Sequence, residues 1–129
     1  MIYVLDTHSI TWFVENDPRL SSAARQVMSN SANSFVVPTM VLAEVKYLNA
    51  KGRIRIDLPG LYQQFINPNK CQVHPLDELV ISLVPVGLDI HDSIIVATAL
   101  VYRDIHHLPT TLVTKDTKIT QSGLIQTLW

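Results

Sequence analysis

The sequence predicts a layered α/β fold, a mostly parallel sheet with helices packed on it, and three observations predict it. Short β-branched or aromatic runs alternate with stretches of helical spacing, the pattern of repeated strand–helix units. Apolar residues make up 47% of the chain and charged residues 16%, which suits a packed core and argues against disorder. No internal repeat or linker interrupts the alternation, so residues 1–129 read as one domain.

The elements follow in order. Ile2 to Leu5 is a short buried strand that stops at Asp6. Thr7 to Glu15, carrying Ile10, Trp12, Phe13 and Val14, is a helix that ends near Asp17-Pro18. Ser21 or Ser22 caps a second helix with Ala23, Ala24, Val27 and Met28 at helical spacing. Asn30 to Asn33 is a turn and Ser34 to Val37 a second strand. Pro38-Thr39 opens a helix whose Val41, Leu42, Val45 and Leu48 form one apolar stripe, and Gly52 ends it. Ile54 to Asp57 fits neither pattern. Leu58 to Ile66 is a short helix closed by Asn67-Pro68-Asn69. Cys71 to Leu76 is a third strand with Pro75 near its end, Asp77 to Val84 a helix, and Pro85 to His91 a loop. Asp92 to Arg103 is apolar nearly all round and predicts a deeply packed helix. Thr111 to Thr114 is a fourth strand, a short helix follows Lys115, and Ile125 to Leu128 is a final edge strand.

Cys71 is the only cysteine, so no internal disulfide forms and a reducing, cytoplasmic setting is expected. The N-terminus lacks the pattern of a secretory signal. The longest apolar run, around Ile94 to Tyr102, is too short to span a bilayer, so no membrane role is expected. A net charge of −1 argues against a nucleic-acid partner unless several acids are pooled in a metal site; setting four carboxylates aside turns −1 into +3. The glycine loops of nucleotide binders and the hydrolase G-x-S-x-G are absent. Ser9 and Ser93 have no identifiable base. Asp6-Thr7-His8 lacks the second nearby aspartate of an aspartyl-phosphate phosphatase.

In a parallel α/β fold, sites form at the carboxyl ends of the strands. Asp6 follows the first strand and Asp116 the fourth, in LVTKD. Asp92 starts the buried helix, and Glu44 borders the apolar stripe in VLAEVKYLNAKG. Capping explains any one of the aspartates, and a solvated helix face explains Glu44. Together the four suggest a carboxylate cluster, which needs a compensating cation. Hard oxygen ligands select Mg²⁺ or Mn²⁺ rather than zinc. His106-His107 reads as a solvated helix end.

At these residues the sequence resembles the PIN-domain ribonucleases, in particular the VapC-type toxins of toxin–antitoxin pairs. LDTHSITWFVENDPRLS, VPTMVLAEVKYLNAKGRI, GLDIHDSIIVATAL and LVTKDTKI match the family's four acidic segments in order. The resemblance implies a three-layer sandwich around a central sheet of about five strands. It implies that Asp6, Glu44, Asp92 and Asp116 hold one or two Mg²⁺ or Mn²⁺ ions. It further implies RNA as substrate, products with a 5′-phosphate and a 3′-hydroxyl, a homodimer, and a cognate antitoxin whose C-terminal segment lies across the site. Thr114 matches a supporting hydroxyl residue, and Thr7 and Ser93 are further supporting candidates. Ser93 stands where the family often has an arginine. Two other readings fit the same residues: a non-catalytic PIN-fold binding module, and a metal-dependent nuclease of RNA processing.

Lys46, Lys51, Arg53 and Arg55 follow Glu44, and Lys115 and Lys118 flank Asp116. They are candidates for gripping RNA phosphates or else ordinary surface charge. Trp12, Phe13, Tyr47 and Met40 are expected in the core or on a partner surface.

Overall fold

A computed structural model describes residues 1–129. Five strands form one sheet: β1 (Ile2–Leu5), β2 (Ser34–Pro38), β3 (Cys71–His74), β4 (Thr110–Val113) and β5 (Thr127–Leu128). The order is β3-β2-β1-β4-β5, and every pairing is parallel. Seven α-helices flank it: α1 (Thr7–Val14), α2 (Ser22–Ser29), α3 (Thr39–Ala50), α4 (Leu58–Gln64), α5 (Glu78–Ser82), α6 (Ile90–Leu100) and α7 (Thr117–Ser122). The chain builds β1, β2 and β3 outward on one side, then returns beside β1 with β4. The topological switch point therefore lies between β1 and β4, where open α/β sheets place their sites. The main core joins both faces of the sheet and includes Val4, Leu5, Phe35, Val36, Val37, Leu112 and Val113 with Ile10, Val41, Val45, Leu61 and Ile119 from the helices. No helix is long and apolar enough to cross a membrane.

Several boundaries differ from the sequence expectation for identifiable reasons. The long buried helix starts at Ile90 rather than Asp92, because the Asp89 side chain accepts the amides of both His91 and Asp92 and takes the cap. It leaves α geometry after Leu100. Val101–Ile105 forms a π-turn closed by His106 N–H donating to Val101 O at 3.1 Å. The third strand stops at His74, since Pro75 has no N–H to donate. Only Thr127 and Leu128 pair at the last edge. The ambiguous stretch Ile54 to Asp57 is a tethered loop. Glu15 Oε2 accepts the Arg55 and Ile56 amides at 2.7 and 2.8 Å, and Asn49 Nδ2 donates to Arg55 O and Ile56 O.

Candidate metal centre

The four acids arrive at one cleft from four elements. β1 ends at Leu5, and Asp6 caps α1 by accepting the Ser9 amide at 2.9 Å. Asp116 follows β4 and caps α7 by accepting the Ile119 amide at 3.0 Å. Capping and cleft placement thus coincide at both residues. Glu44 lies in α3, which follows β2, and Asp92 lies in the first turn of α6, which packs on α3 and β4. Asp6, Glu44, Asp92 and Asp116 line a cleft of about 680 Å³ together with Thr7, His8, Trp12, Arg19, Lys115 and Thr117 among others.

The electrostatics are those of crowded carboxylates. Asp92 is pushed up to about 6, first by burial and then by the charges of Asp89, Asp116 and Glu44. Burial also raises Glu44, with Asp6 and Asp89 adding to it and Thr7 and His91 opposing. Asp6 is raised by burial against the opposing pull of the Ser9 and Thr114 hydroxyls. Ser9 Oγ lies 2.6 Å from both Asp6 Oδ1 and Val113 O, so one hydroxyl proton faces two acceptors. Thr114 is buried; its Oγ1 accepts the Asp116 amide at 3.1 Å while facing Asp6, and so links the two aspartates.

Two buried polar atoms in this cleft, Glu44 Oε1 and Thr7 Oγ1, have no hydrogen-bond partner. Thr7 lies near enough to Glu44 to lower its pKa, but the pair makes no well-formed hydrogen bond. Leaving a buried polar atom unsatisfied costs about 1–3 kcal/mol. Hard oxygen donors, mutual repulsion and orphaned acceptors fit a divalent cation. The side chains are not closed on one: no group of three or more acidic, histidine or cysteine residues stands ready to hold an ion.

The other sequence candidates separate. Ser93 is turned away from the cleft. Its hydroxyl donates to Leu88 O at 3.2 Å and supports the start of α6 rather than the acids. Lys115 lines the cleft, while Lys46, Lys51, Arg53, Arg55 and Lys118 are exposed outside its lining. Trp12 is buried, as expected of a core residue, yet its ring also walls the cleft. Phe13 and Met40 pack against the core. Tyr47 does not; it is 59% exposed, in a shallow groove with Met40, Ala43, Leu48 and His91 beside Glu44. Sequence reasoning missed Asp89 and Arg19, and weighed Ser9 only as a nucleophile and His8 only as a neighbour of Asp6. The Asp89-x-x-Asp92 spacing offers two possible caps three residues apart and does not by itself mark Asp89.

No protein-family model matches the chain, and no curated protein does. Solved structures match it over nearly their full length. The crystal structure of VapBC2 from Rickettsia felis bound to a DNA fragment from their promoter contains a chain 16% identical, with 99% of this chain and 98% of that chain covered and a TM-score of 0.70. VapBC-1 from nontypeable Haemophilus influenzae gives 18% identity, 99% and 97% coverage and a TM-score of 0.60. FitAcB from Neisseria gonorrhoeae gives 20% identity, 100% and 97% coverage and a TM-score of 0.62. At such identities the likeness establishes the fold. The chain is a PIN-like α/β sandwich around a five-stranded parallel sheet.

Proposed function

We propose that the chain is a Mg²⁺- or Mn²⁺-dependent endoribonuclease and the toxin of a toxin–antitoxin pair. One observation carries the catalytic part: Asp6, Glu44, Asp92 and Asp116 converge on a single cleft in which the charges of Asp116 and Glu44 oppose ionisation of Asp92 and that of Asp6 opposes ionisation of Glu44. Asp6 and Asp92 would hold the first ion, Asp116 would bind directly or through water, and Glu44 would serve a second ion or the attacking water. When bound, the metal lowers the pKa of a water and stabilises charge on the attacking and leaving oxygens of the phosphate. Thr114 positions Asp116 through its amide and faces Asp6. Glu44 Oε1, buried and unpartnered, is a ready proton acceptor on the cleft wall. Lys115 attracts the substrate phosphate into a cleft lined by four acids.

The toxin assignment rests on the sequence resemblance to VapC-type toxins and on the fold shared with VapBC2 and VapBC-1. It includes a homodimer and an antitoxin segment seated across the cleft, with the Met40–Tyr47 groove beside Glu44 available to apolar side chains. Expression of wild type and Asp92→Asn tests the reading. Growth arrest and RNA cleavage by wild type alone support it, and equal arrest by both contradicts it.

The absence of a ready-made ligand set favours a second reading, a non-catalytic module of the same fold. Mn²⁺-dependent melting separates the two: a working centre gains stability with the ion by linkage, and an inert module does not.

A further inference from the structure

The cleft holds two cations that its acids do not neutralise. Lys115 has no carboxylate within 4.0 Å, although Asp6, Glu44, Asp92 and Asp116 line the same space; its ammonium sits 5.2 Å from the centre of the Trp12 ring. The Arg19 guanidinium sits 4.6 Å from the same ring system. His8 stacks on Trp12 as well, with centroids 4.8 Å apart and planes 19° off parallel. An indole face holds cations without a counter-charge. Trp12 therefore backs Lys115 without a counter-charge, and it also faces Arg19, whose own counter-charge, Asp17, lies outside the cleft lining.

Arg19 is also fixed in place. Its Nε and Nη2 donate to Asp17 Oδ1 and Oδ2 at 3.0 and 2.8 Å. Arg25 anchors the same turn, donating to Asn16 Oδ1 and Asp17 O. Asn16, just past the end of α1, takes a left-handed conformation at φ 51° in the same turn. A guanidinium has five N–H donors, and this fork uses two, leaving three for the cleft it lines.

We propose that Arg19 and Lys115, gathered around Trp12 at one lip of the acidic cleft, form a subsite for a non-scissile phosphate of the substrate strand. This rests on the ribonuclease reading and adds to it a second point of attachment. The metal side takes the scissile phosphate, the Trp12 side takes a neighbouring one, and the two together set the direction in which a single strand crosses the cleft. Trp12 and Asp17 act as positioning residues, and Arg19 and Lys115 as the groups that touch RNA.

The test is the salt dependence of binding to a fluorescent single-stranded RNA oligonucleotide. It uses the full chain carrying Asp92→Asn, so that the strand is not cut, in the presence of Mg²⁺. Each phosphate contact on a single strand contributes about 0.7 to the slope of log affinity against log salt. Arg19→Ala and Lys115→Ala should each flatten the slope by about 0.7. Arg19→Lys should keep the slope and weaken binding, because charge survives while the fork is lost. Melting temperature is recorded for every variant. An Arg19→Ala protein that melts lower with an unchanged slope would reduce Arg19 to a loop tether and overturn the subsite. Failure of the parent protein to bind RNA at all would instead overturn the ribonuclease reading, and the subsite with it.

Discussion

The backbone N–H of Asp92 donates to Asp89 Oδ1 at 3.1 Å, so the residue that caps α6 also places its charge beside the acid that enters the cleft. Asp89→Asn should keep the cap, since Asn accepts the same amides, and remove the charge. The Asp92 carboxyl, about 6 in wild type, should then titrate lower. Carbon-detected NMR titration of the Asp92 carboxyl reads this directly. Asp89→Ala should instead cost about 1 kcal/mol of stability through the lost cap.

Stability of the metal-free protein should fall as pH rises from 3.8 to about 6. Between those values the folded chain holds a proton on Asp92 that the unfolded chain has released, so folding binds protons and weakens as they become scarce. The favourable contribution is fully present below 3.8 and is lost as pH passes about 6. Melting curves in chelator across that range test the sign.

Divalent binding should show the opposite trend, because a ligand carboxylate must be deprotonated. The gain in melting temperature with Mn²⁺ should be large at neutral pH and should shrink below about 6, where Asp92 takes up its proton.

Asp6→Asn should separate the two roles of Asp6. The cap on α1 survives, because the amide oxygen can still accept the Ser9 N–H. One charge leaves the crowded cleft, so the metal-free protein should melt no lower than wild type. The Mn²⁺ gain should disappear, and thermal scans with and without the ion check both halves together.

Phe35→Ala should cost about 3–5 kcal/mol in denaturant unfolding. Phe35 is almost fully buried in β2 and meets the Phe65 ring edge-on, with centroids 5.5 Å apart, while the Lys70 ammonium lies over both rings. Phe35 is not among the residues that line the cleft, which makes it a control for loss of fold without direct loss of site chemistry.

Much of this was legible in the residues. β1, β2 and β4 were marked by short β-branched runs, and Asp6 and Asp116 by their place just past the strands. The cap of α6 was not, because GLDIHD offers two aspartates three residues apart and only the backbone register decides which one caps. Ile54 to Asp57 resisted reading because its order comes from Glu15, about 40 residues away, through backbone bonds that leave no periodicity. Tyr47 falls on the helical face that α3 leaves exposed beside Glu44. Arg19 sits in NDPRL, which reads only as a turn; its role depends on where that turn brings it relative to Trp12.

The most direct measurement is the anomalous difference map of a crystal soaked in Mn²⁺. The account predicts a peak in the cleft between Asp6 and Asp92, at about 2.1 Å from carboxylate oxygens that have rotated inward. Saturating Mn²⁺ that leaves this space without a peak, or that binds only elsewhere, would contradict it.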